Sequence, residues 1–113
     1  GKIEGGFIQG LGWLTTEEVS WQANGKLQTH SPSTYKIPTS GETPFKFNVE
    51  IYERGINKEN VVNRSKAVGE PPFMLAISSF IAIKDAVNNA NNKNGSEKLI
   101  APATPENVLK SLN

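Results

Sequence analysis

The chain has 113 residues, 36% of them hydrophobic and 20% charged, with a formal net charge of +1. That is the size of one domain, and the absence of cysteine excludes disulfides, zinc fingers, a thiol nucleophile and cysteine-held iron–sulfur clusters within it. One histidine, His30, cannot build a multi-histidine metal site, and a charge of +1 without a basic stripe argues against nucleic acid as a partner. No apolar run reaches the roughly 20 residues that span a bilayer, and no secretory leader pattern opens the chain. The expectation is therefore no membrane partner and a cytoplasmic location. A glycine start inside an already periodic segment reads as a piece of a longer protein.

The first segment places Ile3, Phe7, Ile8, Leu11 and Leu14 at helical spacings, which predicts a helix with an apolar stripe. Its glycines are unusual, because an interior glycine costs a helix about 1 kcal/mol relative to alanine. Gly6 and Gly10 share a face, so a second backbone or a ligand can approach closely there. From Glu17 the pattern alternates: Val19 and Trp21, then Asn24-Gly25, then Leu27 and Thr29, which predicts a β-hairpin. Ser31 to Pro44 holds three prolines and reads as an extended loop around Tyr35, Lys36 and Ile37, with His30 a solvated residue at its start. Phe45, Phe47, Val49 and Ile51 alternate with Lys46, Asn48 and Glu50, the pattern of a half-buried strand.

Pro71-Pro72 is suited to a first helical turn, and the helix that follows carries Phe73, Met74, Leu75, Ile77, Phe80, Ile81, Ile83 and Val87. Its first half is apolar nearly all round, the mark of a helix enclosed on several sides, and so short a chain cannot supply that enclosure alone. Asn88 to Ser96 is a polar, asparagine-rich run that predicts a frayed helix end and a mobile loop. A last helix starts with Thr104 as N-cap and Pro105 at its first position, with Val108, Leu109 and Leu112 as its apolar edge. The expected fold class is α+β: a glycine-rich helix, a hairpin and a further strand, a buried helix and a short closing helix.

Chemistry concentrates at Gly69-Glu70-Pro71-Pro72. A residue before proline is driven toward extended backbone, so Glu70 is held ahead of the helix, and Gly69 lets a large group approach. The helix directs its positive end at the carboxylate, and a carboxylate fixed in this way is a candidate general base, although an ordinary helix-start acid has the same pattern. Glycines 5 to 10 do not form a phosphate loop, since Leu11-Gly12 stands where lysine and a hydroxyl residue are needed.

The string K-A-V-G-E-P-P-F at Lys66 to Phe73 resembles the active-site segment of the xanthine dehydrogenases, in the molybdenum hydroxylase family. G-K-I-E-G-G-F-I-Q-G-L-G at Gly1 to Gly12, P-S-T-Y-K-I-P at Pro32 to Pro38, A-I-K-D-A at Ala82 to Ala86 and A-T-P-E at Ala103 to Glu106 agree in the family's order. The resemblance covers essentially the whole chain. It implies that residues 1–113 are the C-terminal part of a molybdenum-cofactor-binding domain, inactive alone, with the rest of that domain and iron–sulfur and flavin (FAD) domains or subunits as partners. It further implies a molybdenum–molybdopterin cofactor, oxidation of a purine such as xanthine or hypoxanthine with water-derived oxygen, and NAD as acceptor. Glu70 would take the proton from the metal-bound hydroxyl, with Gly69 beside the cofactor and no residue of this chain a direct metal ligand. At position 2 many members have a glutamine near the molybdenum centre; Lys2 would either bring a cation close to the anionic cofactor or point elsewhere. Pro-Pro after the glutamate favours a purine over the aldehydes taken by relatives. The alternatives are such an aldehyde-oxidising enzyme and a stand-alone, non-catalytic binding or structural module.

Overall fold

A computed structural model describes residues 1–66, 70–90 and 98–113. Its regular elements among those residues are helical: α1 (Lys2–Thr15), α2 (Pro71–Leu75), α3 (Ile77–Ala90) and α4 (Pro105–Leu112), with single 3-10 turns at Ser40–Glu42 and Val62–Arg64. The α+β expectation is thus corrected, since no strand forms among the described residues.

The reason lies in what a strand needs. Asn24-Gly25 does make a tight turn, with Gly25 at a φ of 82°. Gly25 N–H donates to the Gln22 carbonyl at 2.9 Å, Gln22 N–H to Lys26 at 2.8 Å and Gln28 N–H to Ser20 at 2.8 Å. Pairing stops there, at one antiparallel bridge between Trp21 and Leu27. Val19 and Trp21 are exposed, and a two-stranded ribbon with no packed face is marginal in water. Phe45 to Ile51 likewise keeps its alternation without a ladder. Phe47 and Val49 are half-buried while Phe45 and Ile51 are exposed, and the Phe47 ring meets Phe7 of α1 at 5.2 Å between centroids.

α1 is the element on which the others rest. It lies against α2 and α3, and its last turn holds both the proline loop and the C-terminal segment. The Thr16 hydroxyl donates to the Lys36 carbonyl at 2.9 Å, and Ala103 N–H donates to the Leu14 carbonyl at 2.7 Å. Gly12 is required for this junction, because a Cβ there would lie 2.6 Å from Pro38 Cγ and 2.5 Å from a Glu17 carboxylate oxygen. The expected apolar stripe of α1 is buried only at Leu14; Ile3 is exposed and the fully covered positions beside it are Gly10 and Gly12.

The helix expected from Pro71 begins there but breaks at Ala76 into α2 and α3. Ala76 N–H turns back to the Phe73 carbonyl at 3.2 Å, and Ala76 itself is fully buried. A small core joins Val87, Leu99 and Ala103 to Phe80, Ile83 and Val108. α4 is capped as its sequence predicts: the Thr104 hydroxyl accepts from Asn107 N–H at 3.2 Å and Pro105 follows. Its inner face is Thr104, Val108 and Ser111, however, while Leu109 and Leu112 point outward. The expectation of a mobile run from Asn88 to Ser96 falls, from Asn91 on, outside the described residues.

The surface is large for the mass. The chain exposes 8909 Å², where a folded monomer of its 12.3 kDa exposes about 6,100 Å². Its radius of gyration is 18.0 Å, against about 13 Å for a compact chain of this length. Met74, Leu75, Ile77 and Ile81 of the over-apolar helix are among the exposed side chains.

Candidate active site

Two stripes of α1 have separate uses. Positions 6, 10 and 13 share one face and form the seat of α2. A Cβ on Gly6 would stand 3.2 Å from Pro72 Cβ, and one on Gly10 would overlap the Phe73 carbonyl oxygen and stand 2.8 Å from Ala76 Cβ. Trp13 completes the stripe by stacking on Phe73, with centroids 5.4 Å apart and planes at 23°. Close backbone approach, one of the two uses expected for these glycines, is therefore what Gly6 and Gly10 serve.

Positions 2, 5 and 9 form the adjoining stripe and one wall of a cleft of about 350 Å³. Lys2, Gly5, Gly6 and Gln9 line it from α1; Glu70, Pro72 and Phe73 line it from the start of α2. Glu70 and Lys2, far apart in sequence, are thus brought to one opening. Gly69 lies outside the described residues. His30 lines a different, apolar hollow with Val19, Leu27 and Tyr35. Gly5, Gln9, Pro72 and Phe73 were not singled out for the site by sequence, yet the signal was present: 2, 5 and 9 follow helical spacing from Lys2.

Glu70 is the N-cap of α2, ahead of the helix as expected, but its backbone is corrected from extended to φ −88°, ψ 18°. That setting is disfavoured before proline. It is accompanied by a hydrogen bond from Met74 N–H to the Glu70 carbonyl at 2.9 Å, which ties Glu70 into the first turn. The side chain makes no cap hydrogen bond. Glu70 is exposed. The carboxylate makes no hydrogen bond among the described residues and lines the cleft. Opposite it stand the donors of a cationic amine and an amide, Lys2 and Gln9.

These residues fit an anionic organic cofactor. The ammonium and amide offer donors, and a Cβ on Gly5 would meet no atom of the chain within 4 Å, so the wall there is bare backbone facing open space. The comparisons agree. Residues 1–44 match the family described as the molybdopterin cofactor-binding domain. The chain is 46% identical over 113 residues to the xanthine dehydrogenase/oxidase of Rattus norvegicus, covering 96% of this chain and 8% of that protein. It is 43% identical over 118 residues to xanthine dehydrogenase 2 of Arabidopsis thaliana, covering 96% of this chain and 9% of that protein. The class is therefore a segment of a molybdopterin-binding domain. Within that class the proteins the chain matches over 96% of its length are xanthine dehydrogenases. It spans less than a tenth of the length of these relatives.

Proposed function

We propose that residues 1–113 act as the C-terminal part of a molybdopterin-binding domain in a cytoplasmic enzyme that hydroxylates xanthine or hypoxanthine, with Glu70 as general base. The observation that carries the reading is the shared cleft, in which one helix presents Lys2, Gly5 and Gln9 to the Glu70 carboxylate. Lys2 and Gln9 would hold the anionic cofactor, and the bare backbone at Gly5 would let it lie close to α1. When bound, the molybdenum–pterin group supplies the centre that takes two electrons from the substrate. Glu70 supplies the proton acceptor: one carboxylate oxygen takes the proton of the water-derived oxygen nucleophile as that oxygen forms its bond to an electron-poor purine carbon, whose C–H bond breaks with the hydrogen leaving as a hydride equivalent that carries the two electrons. The fixed first turn of α2 orients that carboxylate, and Phe73 and Pro72 shield one side of the cleft from water.

The exposed apolar face of α2 and α3 supports a further part of the reading, that the remainder of the molybdenum domain covers it. Electrons would then leave through iron–sulfur and FAD domains or subunits to NAD. The test is rapid mixing of the full-length loaded protein with xanthine and, separately, with an aromatic aldehyde. Reduction by xanthine at least ten times faster supports the purine reading; reduction by the aldehyde alone transfers the site to an aldehyde oxidase, and reduction by neither leaves a non-catalytic module.

A further inference from the structure

Nothing in the cleft itself fixes the Glu70 carboxylate, which makes no hydrogen bond among the described residues, so its position is inherited from the backbone of α2. That backbone is five residues long and passes into α3 through Ala76, whose N–H bonds the Phe73 carbonyl at 3.2 Å. The element packed against it is α1. Gly6 and Gly10 permit the approach but supply no side chain, and the side chain on this stripe that grips α2 is Trp13, stacked on Phe73. Phe73 is one residue short of a full turn from Glu70, and the next residue, Met74, donates its N–H to the Glu70 carbonyl. A displacement of Phe73 is therefore passed directly to Glu70.

Trp13 is 51% exposed, and the ring contact it makes among the described residues is the stack on Phe73. We propose that Trp13 is a positioning residue for Glu70, acting through its stack on Phe73 to set where the first turn of α2 presents the carboxylate. Reaction rates are steep in such placement, since a misplacement of about 1 Å costs on the order of 100-fold. The inference rests on Glu70 being the general base.

The experiment is a double-mutant cycle in the full-length loaded protein, reading the limiting rate of molybdenum reduction by substrate, the substrate Kd, molybdenum content and thermal unfolding. Trp13→Ala is expected to lower the limiting rate about tenfold, with substrate Kd and molybdenum content unchanged, and Trp13→Phe to recover most of that loss. In the Glu70→Gln background, where slow residual reduction is followed over hours, Trp13→Ala is expected to cost nothing more, because it acts through the group already removed. Losses that multiply, or a Trp13→Ala effect on Kd alone, would show that Trp13 has a merely structural role and would overturn the inference. If Trp13→Ala does not fold, Trp13→Leu takes its place in the cycle with the same expected and contrary results. A large loss in Glu70→Gln with no effect of Trp13 sinks this inference alone; no loss in Glu70→Gln sinks the base reading beneath it.

Discussion

Gly5 and Gly10 sit on the same helix, and the same substitution is expected to have opposite effects at the two. A methyl on Gly10 would enter the Phe73 carbonyl and the Ala76 methyl, both packed against α1, so Gly10→Ala is expected to lower stability by about 1–3 kcal/mol. A methyl on Gly5 meets nothing in the chain, so Gly5→Ala gains helix propensity worth about 0.4–1 kcal/mol. If the cleft takes the cofactor along that bare wall, Gly5→Ala also lowers molybdenum content. Thermal unfolding and metal analysis of the two full-length variants separate these effects; retained molybdenum in Gly5→Ala would place the cofactor away from α1. At this scale the sequence was informative about Glu70, whose flanking prolines mark the start of a helix. It was silent on the backbone angles of Glu70, because the pull of Pro71 toward extended backbone is weaker than the hydrogen bond that closes the first turn.

Elements were legible where their signals are local. Thr104-Pro105 and Pro71-Pro72 each start a helix through a cap or a preset φ, which depends only on neighbouring residues. The strands were not legible, because alternation at 45–51 separates apolar from polar positions but cannot state whether a partner strand lies alongside. Thr104→Ala is expected to cost about 1 kcal/mol and to raise hydrogen exchange at the Asn107 amide before the rest of α4 responds. In the proline loop one Glu42 oxygen accepts from Lys36 Nζ at 2.7 Å, Thr39 N–H at 2.6 Å and the Thr39 hydroxyl at 2.9 Å. Lys36 first, then the two Thr39 donors, hold the Glu42 carboxyl down at about 2, from an ordinary 4.5. A depressed carboxyl stabilises the fold above its unfolded value and ceases to do so as pH falls through its folded one. Thr39 amide protection should therefore be greater in the natural chain than in Glu42→Gln at neutral pH. The difference should shrink between pH 4.5 and about 2, and should weaken in high salt because Glu42 is exposed.

For the whole molecule, the surface in excess of a compact chain's and the exposed Met74, Leu75, Ile77 and Ile81 describe a part that is completed by a larger domain. The over-apolar helix announced this in the sequence, since a helix apolar on every side needs more neighbours than this chain contains. The isolated 113 residues are accordingly expected to retain no molybdenum and to oxidise neither xanthine nor an aldehyde; stoichiometric metal in the purified polypeptide would contradict that. The cleft was legible in part: Glu70 and Lys2 were identifiable and helical spacing from Lys2 pointed to Gly5 and Gln9, whereas the Trp13 stack emerges only when α1 and α2 are docked.

The central claim is that Glu70 is the proton acceptor, and xanthine-dependent reduction of the full-length loaded protein, natural chain against Glu70→Gln, tests it most directly. Loss of at least 100-fold in the reduction rate at unchanged molybdenum content is the result expected when a general base is removed. An unchanged rate in Glu70→Gln would contradict it.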